Sequence, residues 1–157
     1  MKAIYIIGID PDVEKSGVAI VYTDIKRASV KSLNFSELID WLRKLSTHET
    51  IGYKIVIEAG WKKSGNWHLK NSNSKRAAAI GNSTGRNHEV GRKIVEYAKH
   101  CGLTVVEQIP LQKHWNGPDK KITHAEITRF IPGLPKTTNQ EERDALLIAW
   151  INAGFNL

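Results

Sequence analysis

The chain has 157 residues, 41% hydrophobic and 25% charged, which are ordinary proportions for a globular protein and enough length for a single domain with its own core. No run approaches the roughly 18 apolar residues of a membrane span, and residues 1–9 lack the basic leader and cleavage site of a signal peptide, so no membrane partner is expected. Lysine and arginine number 23 against 16 acids, a net charge of +7 that favours a polyanionic partner if it is concentrated in one place.

Residues 3–9 (Ala-Ile-Tyr-Ile-Ile-Gly-Ile) are almost continuously apolar, the pattern of a strand buried on both faces at the centre of a sheet. The run ends on Asp10-Pro11-Asp12. An acid there is either neutralised by a metal or substrate, or only caps the turn, since aspartate before proline is common turn chemistry. Glu14-Lys15-Ser16-Gly17 leads into Val18–Tyr22, a second strand forming an antiparallel hairpin with the first. Ala28–Leu33 alternates as a third, edge-like strand, and Ser36 is the expected N-cap of a helix carrying Leu38, Leu42 and Leu45. After polar residues 46–52, Tyr53–Ile57 reads as a fourth strand, and it too ends on an acid, Glu58.

Residues 62–76, rich in Ser, Asn, Gly and Lys, read as a basic loop carrying Trp67. A helix from about Arg76 or Ser83 to His100 places Val90, Ile94, Tyr97 and Cys101 on one face, with Gly102 as its stop. Cys101, the single cysteine, excludes an internal disulfide, fits a reducing, cytoplasmic compartment, and reads as a small core residue. Leu103–Glu107 is a fifth strand, Pro110–Pro118 a loop with Lys113, His114 and Trp115, and Asp119–Phe130 a helix stopped by Pro132-Gly133. The last helix runs from near Thr138 to Asn152. Trp41 and Trp150 fall on apolar helix faces and read as core, whereas Trp115 suits binding and packing equally. The order β-β-β-α-β-α-β-α-α predicts an α/β domain over residues 1–157, a mixed sheet with helices on its faces. Gly81–Gly85 resembles a phosphate loop but lacks the Gly-Lys-Ser/Thr ending and follows no strand.

The charge is localised. Between Trp61 and Lys93 stand eight bases (Lys62, Lys63, Lys70, Lys75, Arg76, Arg86, Arg92, Lys93) and one acid, Glu89, which accounts for the whole excess. Trp61 and Trp67 interleave with these bases, as where base stacking accompanies phosphate contact. Asp144 lies in the first turns of the last helix beside Glu141 and Glu142, directly before the apolar run Ala145–Ile151. If the first and fourth strands are parallel neighbours, Asp10 and Glu58 emerge together and Asp144 is placed to join them. Clustered hard oxygen ligands suit Mg²⁺ or Mn²⁺, and two such ions about 3.5–4 Å apart activate a water and stabilise a leaving oxygen of a phosphodiester. The plainer readings stand beside this. Glu58 suits an ordinary strand end, Glu141 a capping box with Thr138, and all three late acids a helix N-terminus. No histidine pair has metal-ligand spacing, and His124 reads as a surface residue.

The sequence resembles the RuvC-type Holliday junction resolvases of the RNase H-like superfamily. The motifs are Gly8-Ile9-Asp10-Pro11 with Ser16-Gly17-Val18-Ala19, then Ile55-Val56-Ile57-Glu58, Gly81–Arg86, Pro110-Leu111-Gln112-Lys113, Asp119-Lys120, and Leu134-Pro135-Lys136 leading to Asp144–Ala149. They keep the family's order over nearly the whole chain. The resemblance implies an RNase H-like mixed five-stranded sheet and metal-binding catalytic acids at Asp10, Glu58 and Asp144, with Glu141 in place of an additional aspartate. It implies Lys120 at the scissile region, Lys113 as a second basic residue and Trp61 as an aromatic wedge, while the localised charge makes Lys62, Lys63, Lys70, Lys75, Arg76 and Arg86 the expected DNA contacts. The resemblance also implies a homodimer built on the helix ending at His100, cutting branched DNA symmetrically with Mg²⁺. Asp12 stands where the family has glycine, and Lys113–Lys120 lacks its glycine-rich wording. The sequence-level expectation is therefore a Mg²⁺-dependent branched-DNA endonuclease of recombination and repair. Another RNase H-like nuclease or an inactive nucleic-acid-binding protein of this fold are the alternatives. A sugar-kinase or actin-like ATPase half is disfavoured by the short chain and the lack of an adenosine-binding glycine motif.

Overall fold

The computed structural model describes residues 3–63 and 74–157, so Trp67 and Lys70 lie outside the described residues. Five strands, β1 (Ala3–Asp10), β2 (Ser16–Tyr22), β3 (Arg27–Leu33), β4 (Ile51–Glu58) and β5 (Thr104–Gln108), form one sheet in the order β3-β2-β1-β4-β5. The β1–β2 and β2–β3 pairs are antiparallel, and β4 runs parallel to both β1 and β5. Helices α1 (Phe35–Ser46), α2 (Ser74–His100), α3 (His124–Phe130) and α4 (Gln140–Asn152) complete the predicted order.

Each face of β1 has its own core, which is why its sequence is apolar throughout. Ile7 and Ile9 pack with Leu38, Leu42 and Ile94 on the side of α1 and α2. Ile6 packs on the opposite side with Leu146, Ala149 and Trp150 of α4. Strand alternation then puts Asp10 on the α4 side with Ile6, and Glu58 on that same side with Val56. Ile9 pairs with Ile57, so the two acids leave the sheet as neighbours.

Two glycines set how closely α4 approaches. A Cβ on Gly8 would collide with the carbonyl oxygen of Ala145, and one on Gly17 with that of Glu141. The first half of α4 therefore rests directly on the backbone of β1 and β2. That close seat carries Asp144 to the edge where Asp10 and Glu58 emerge.

Several local expectations are corrected. Helix α1 is capped by Asn34, not Ser36: Asn34 Oδ1 accepts from Glu37 N at 2.9 Å and Glu37 Oε1 accepts from Asn34 N at 3.1 Å. Helix α4 is capped by Asn139 with Glu142, not by Thr138 with Glu141, because Asn139 and Glu142 make the reciprocal bonds (2.8 and 2.9 Å). The helix expected from Asp119 begins only at His124. Asp119 and Lys120 have φ of +55° and +59°, which no right-handed helix propagates. The helix instead starts at a Thr123–Glu126 capping box. Asp12 accepts the Glu14 N–H at 2.8 Å and its own N–H donates to Ser16 Oγ at 3.1 Å, so its carboxylate closes the β1–β2 turn.

Candidate active site

Asp10, Glu58 and Asp144 each present a carboxylate oxygen, and these oxygens lie within 4.8 Å of one another. They come from two adjacent parallel strands and the helix seated on them, so the sheet register and the glycine seat together build the cluster. Burial pushes the Asp10 carboxyl well above the usual carboxylate range, and the charges of Glu58 and Asp144 push it further. Burial and Asp144 also raise Glu58, while the charges of Lys113 and Lys121 and a hydrogen bond with Asp10 oppose the rise. The pair therefore binds a proton more tightly than free carboxylates do, and a cation bound there would compete with it. Glu141 stands outside the group of three, but its charge adds to the rise at Asp10.

Asp144 is held from two sides. Gln140 Nε2 donates to Oδ1 at 2.8 Å, and Lys121 Nζ lies 3.4 Å from Oδ2. Arg143 fixes the glutamine in turn: its Nη2 donates to Gln140 Oε1 at 3.0 Å, its Nε to the Ile122 carbonyl at 2.9 Å and its Nη1 to the Thr138 carbonyl at 2.6 Å. Sequence reasoning misses Gln140 and Arg143, although Gln140 stands one helical turn before Asp144 on the same face. The ammonium that reaches the carboxylates is that of Lys121. Lys120, expected there, is exposed in the turn of left-handed residues. Lys113 is exposed, yet near enough for its charge to favour ionised Glu58.

Glu58 lines hollows on both of its sides. One, of about 170 Å³, lies between Asp10, Pro11 and Trp61 and the α2 residues Thr84, Asn87 and His88. The other is lined by Leu111, Lys113, Trp115, Lys121 and Leu147. Trp61 is built in as a wall. Its Nε1 donates to Glu107 Oε1 at 3.1 Å, and its ring lies so close to Gly91 that no Cβ would fit there. Lys62 pairs with the same Glu107 at 3.5 Å. Lys63, Lys75, Arg76 and Arg86 are exposed, the last three on α2. Trp115 both packs against the core and stacks on His114, with ring centroids 4.4 Å apart. His124 is engaged by Thr138 Oγ1 at 2.8 Å, and Trp150 is core, as expected.

Three carboxylates with no histidine or cysteine form a hard donor set, which fits Mg²⁺ or Mn²⁺. The strand order, the α4 seat and this site define an RNase H-like α/β architecture. No protein-family model matches the sequence, and neither does any curated protein. Among solved structures, the chain is similar to Thermus thermophilus RuvC in complex with a Holliday junction substrate, with a TM-score of 0.55 and 11% identity over 92% of this chain and 90% of that one. It is also similar to a second Thermus thermophilus RuvC structure, with a TM-score of 0.50 and 11% identity over 96% of each chain. The fold is that of a RuvC-type Holliday junction resolvase.

Proposed function

We propose that this protein is a Mg²⁺-dependent, structure-selective DNA endonuclease that resolves four-way junctions by symmetric phosphodiester hydrolysis during recombination and repair. The observation that carries the reading is the convergence of Asp10, Glu58 and Asp144 beside Lys121 at the edge of a RuvC-type sheet. In this reading Asp10, Glu58 and Asp144 hold the metal, with Glu141 as a further acid beside them. Bound there, Mg²⁺ supplies a lowered pKa for water and neutralises phosphate charge. Gln140, itself held by Arg143, orients Asp144. Lys121 and Lys113 set positive charge beside the phosphate, and Lys120, exposed in the preceding turn, would contact the neighbouring backbone. The exposed bases of α2, with Lys62, Lys63 and Lys70, grip phosphates, and Trp61 lines the path of the strand. A homodimer joined through α2 brings two such sites to one junction, which is the substrate held in one of the similar structures.

The experiment is cleavage of a synthetic four-way junction with Mg²⁺ or Mn²⁺ by the wild-type protein and by Asp10→Asn. Binding without cutting by the variant is expected, and undiminished cutting removes the proposed role of Asp10. Preference for linear duplex or an RNA–DNA hybrid would move the reading to another RNase H-like nuclease. Native mass measurement with and without junction is expected to give a dimer, and a monomer in both contradicts paired cutting.

A further inference from the structure

Thr84, Asn87 and His88 face the acids across the α2-side hollow, and none of them belongs to the acidic cluster or its supporting bonds. At spacings of three and four residues they share one helix face. The orientation of Asn87 is fixed: the Val13 N–H donates to its Oδ1 at 2.9 Å, which leaves the amide NH₂ as its remaining donor. His88 is half-buried, edge-on to Trp61 at 6.2 Å between ring centroids, and tight against Gly60, where a Cβ would meet its Nε2 at 2.7 Å. Among the described residues, no hydrogen bond engages either ring nitrogen of His88 or the hydroxyl of Thr84. Burial and the Arg92 charge lower the His88 pKa, which favours the neutral imidazole, a form that keeps one N–H to donate.

Three groups able to donate thus stand across the hollow from two of the three carboxylates, Asp10 and Glu58. A ligand lying between them must accept hydrogen bonds on the α2 side and carry negative charge toward a cation on the other. A backbone phosphate does both, and a hollow of about 170 Å³ admits a sugar–phosphate unit. We propose that Thr84, Asn87 and His88 form a phosphate-binding wall that grips the backbone phosphate next to the scissile one. The inference rests on the nuclease reading and adds positioning residues to it. Uncharged donors orient a phosphate without displacing additional counterions, so the wall acts on cleavage rate more than on the salt dependence of binding.

The test is single-turnover cleavage of a synthetic four-way junction with Mg²⁺, comparing wild type with the double variant Thr84→Val/His88→Leu. Each phosphate flanking the scissile one is replaced in turn by an uncharged methylphosphonate. At one position the substitution is expected to slow the wild type by about 10-fold or more, since misplacement near the chemistry is costly. The variant, already slowed to a similar extent, is expected to lose no more than about 2-fold further there, because contacting partners are not additive. His88→Gln, which restores a donor, is expected to recover part of the rate, and the salt slope of binding is expected to stay unchanged. Independent, multiplying penalties at every position overturn the wall. If thermal melting shows the double variant to be unfolded, the same cycle is run with Thr84→Val, which keeps the side-chain shape. Absence of cleavage by the wild-type protein overturns the nuclease reading itself, and this inference with it.

Discussion

Asp10 is the residue on which the electrostatics of the site converge. Its carboxyl is raised by burial, then by Glu58 and Asp144. A native pKa above the unfolded value means that the folded chain binds this proton more tightly. The associated stability is present below the ordinary carboxylate value and is lost as pH rises through the raised one. Without divalent metal, the wild-type melting temperature is expected to fall as pH climbs from the carboxylate range toward neutrality. Asp10→Asn, which has no charge to bury, should flatten that fall and be the more stable of the two at neutral pH. Mg²⁺ should restore the wild type and not the variant, and its stabilising effect should grow with pH because binding displaces the proton. Thermal melts in chelator and in Mg²⁺ across this range check the sign, and a flat metal-free wild-type profile would contradict it. Gln140 offers a second handle at the same scale. Gln140→Leu removes the donor to Asp144 Oδ1 and the acceptor for Arg143, and should cost about 10–100-fold in Mg²⁺ affinity or cleavage rate with the fold retained. A Mg²⁺ titration of cleavage measures this directly.

At the scale of elements, the decisive contact is α4 on the bare backbone of β1 and β2. Gly8→Ala and Gly17→Ala each place a Cβ against a carbonyl oxygen of α4, and overpacking of this kind costs about 1–3 kcal/mol. The larger effect should be functional, because lifting α4 by an ångström moves Asp144 relative to Asp10 and Glu58, and such a shift costs roughly 10²-fold in rate. Melting and junction cleavage of the same variants separate the two effects, and unchanged cleavage by a destabilised Gly17→Ala would refute the seat as a positioning device. The strands and the three acids were legible in sequence because each acid interrupts or abuts an apolar run, and an interrupted pattern is what sequence reveals. Lys121 and Gln140 were not, since a polar residue in a polar stretch breaks no pattern. Choosing Lys121 over Lys120 required the left-handed backbone at Asp119 and Lys120. The Thr123–Glu126 and Asn139–Glu142 boxes were readable as spacings, but a competing cap one residue away and an acid at Asp119 gave equally good local patterns.

At the scale of the whole molecule, the excess charge and the acidic site share an element. The bases of residues 61–93 account for the net +7, and α2, which carries Lys75, Arg76 and Arg86, also supplies the wall opposite the acids. A DNA strand entering that hollow would therefore lie against a helix that also carries exposed bases. If about five phosphates are neutralised, binding to a junction in chelator should weaken with a log–log salt slope near −4.5, or roughly 500-fold for a fourfold rise in salt. Lys75→Ala/Arg86→Ala removes two exposed cations of α2 and should reduce that slope by about 2. Because neither residue holds the metal, the variant's cleavage rate at saturating junction should stay close to that of the wild type. Fluorescence anisotropy across a salt series, paired with single-turnover cleavage, reads both quantities from one preparation. An unchanged slope would remove these cations from the DNA path. A rate lost at saturation with the slope intact would place them in the chemistry instead.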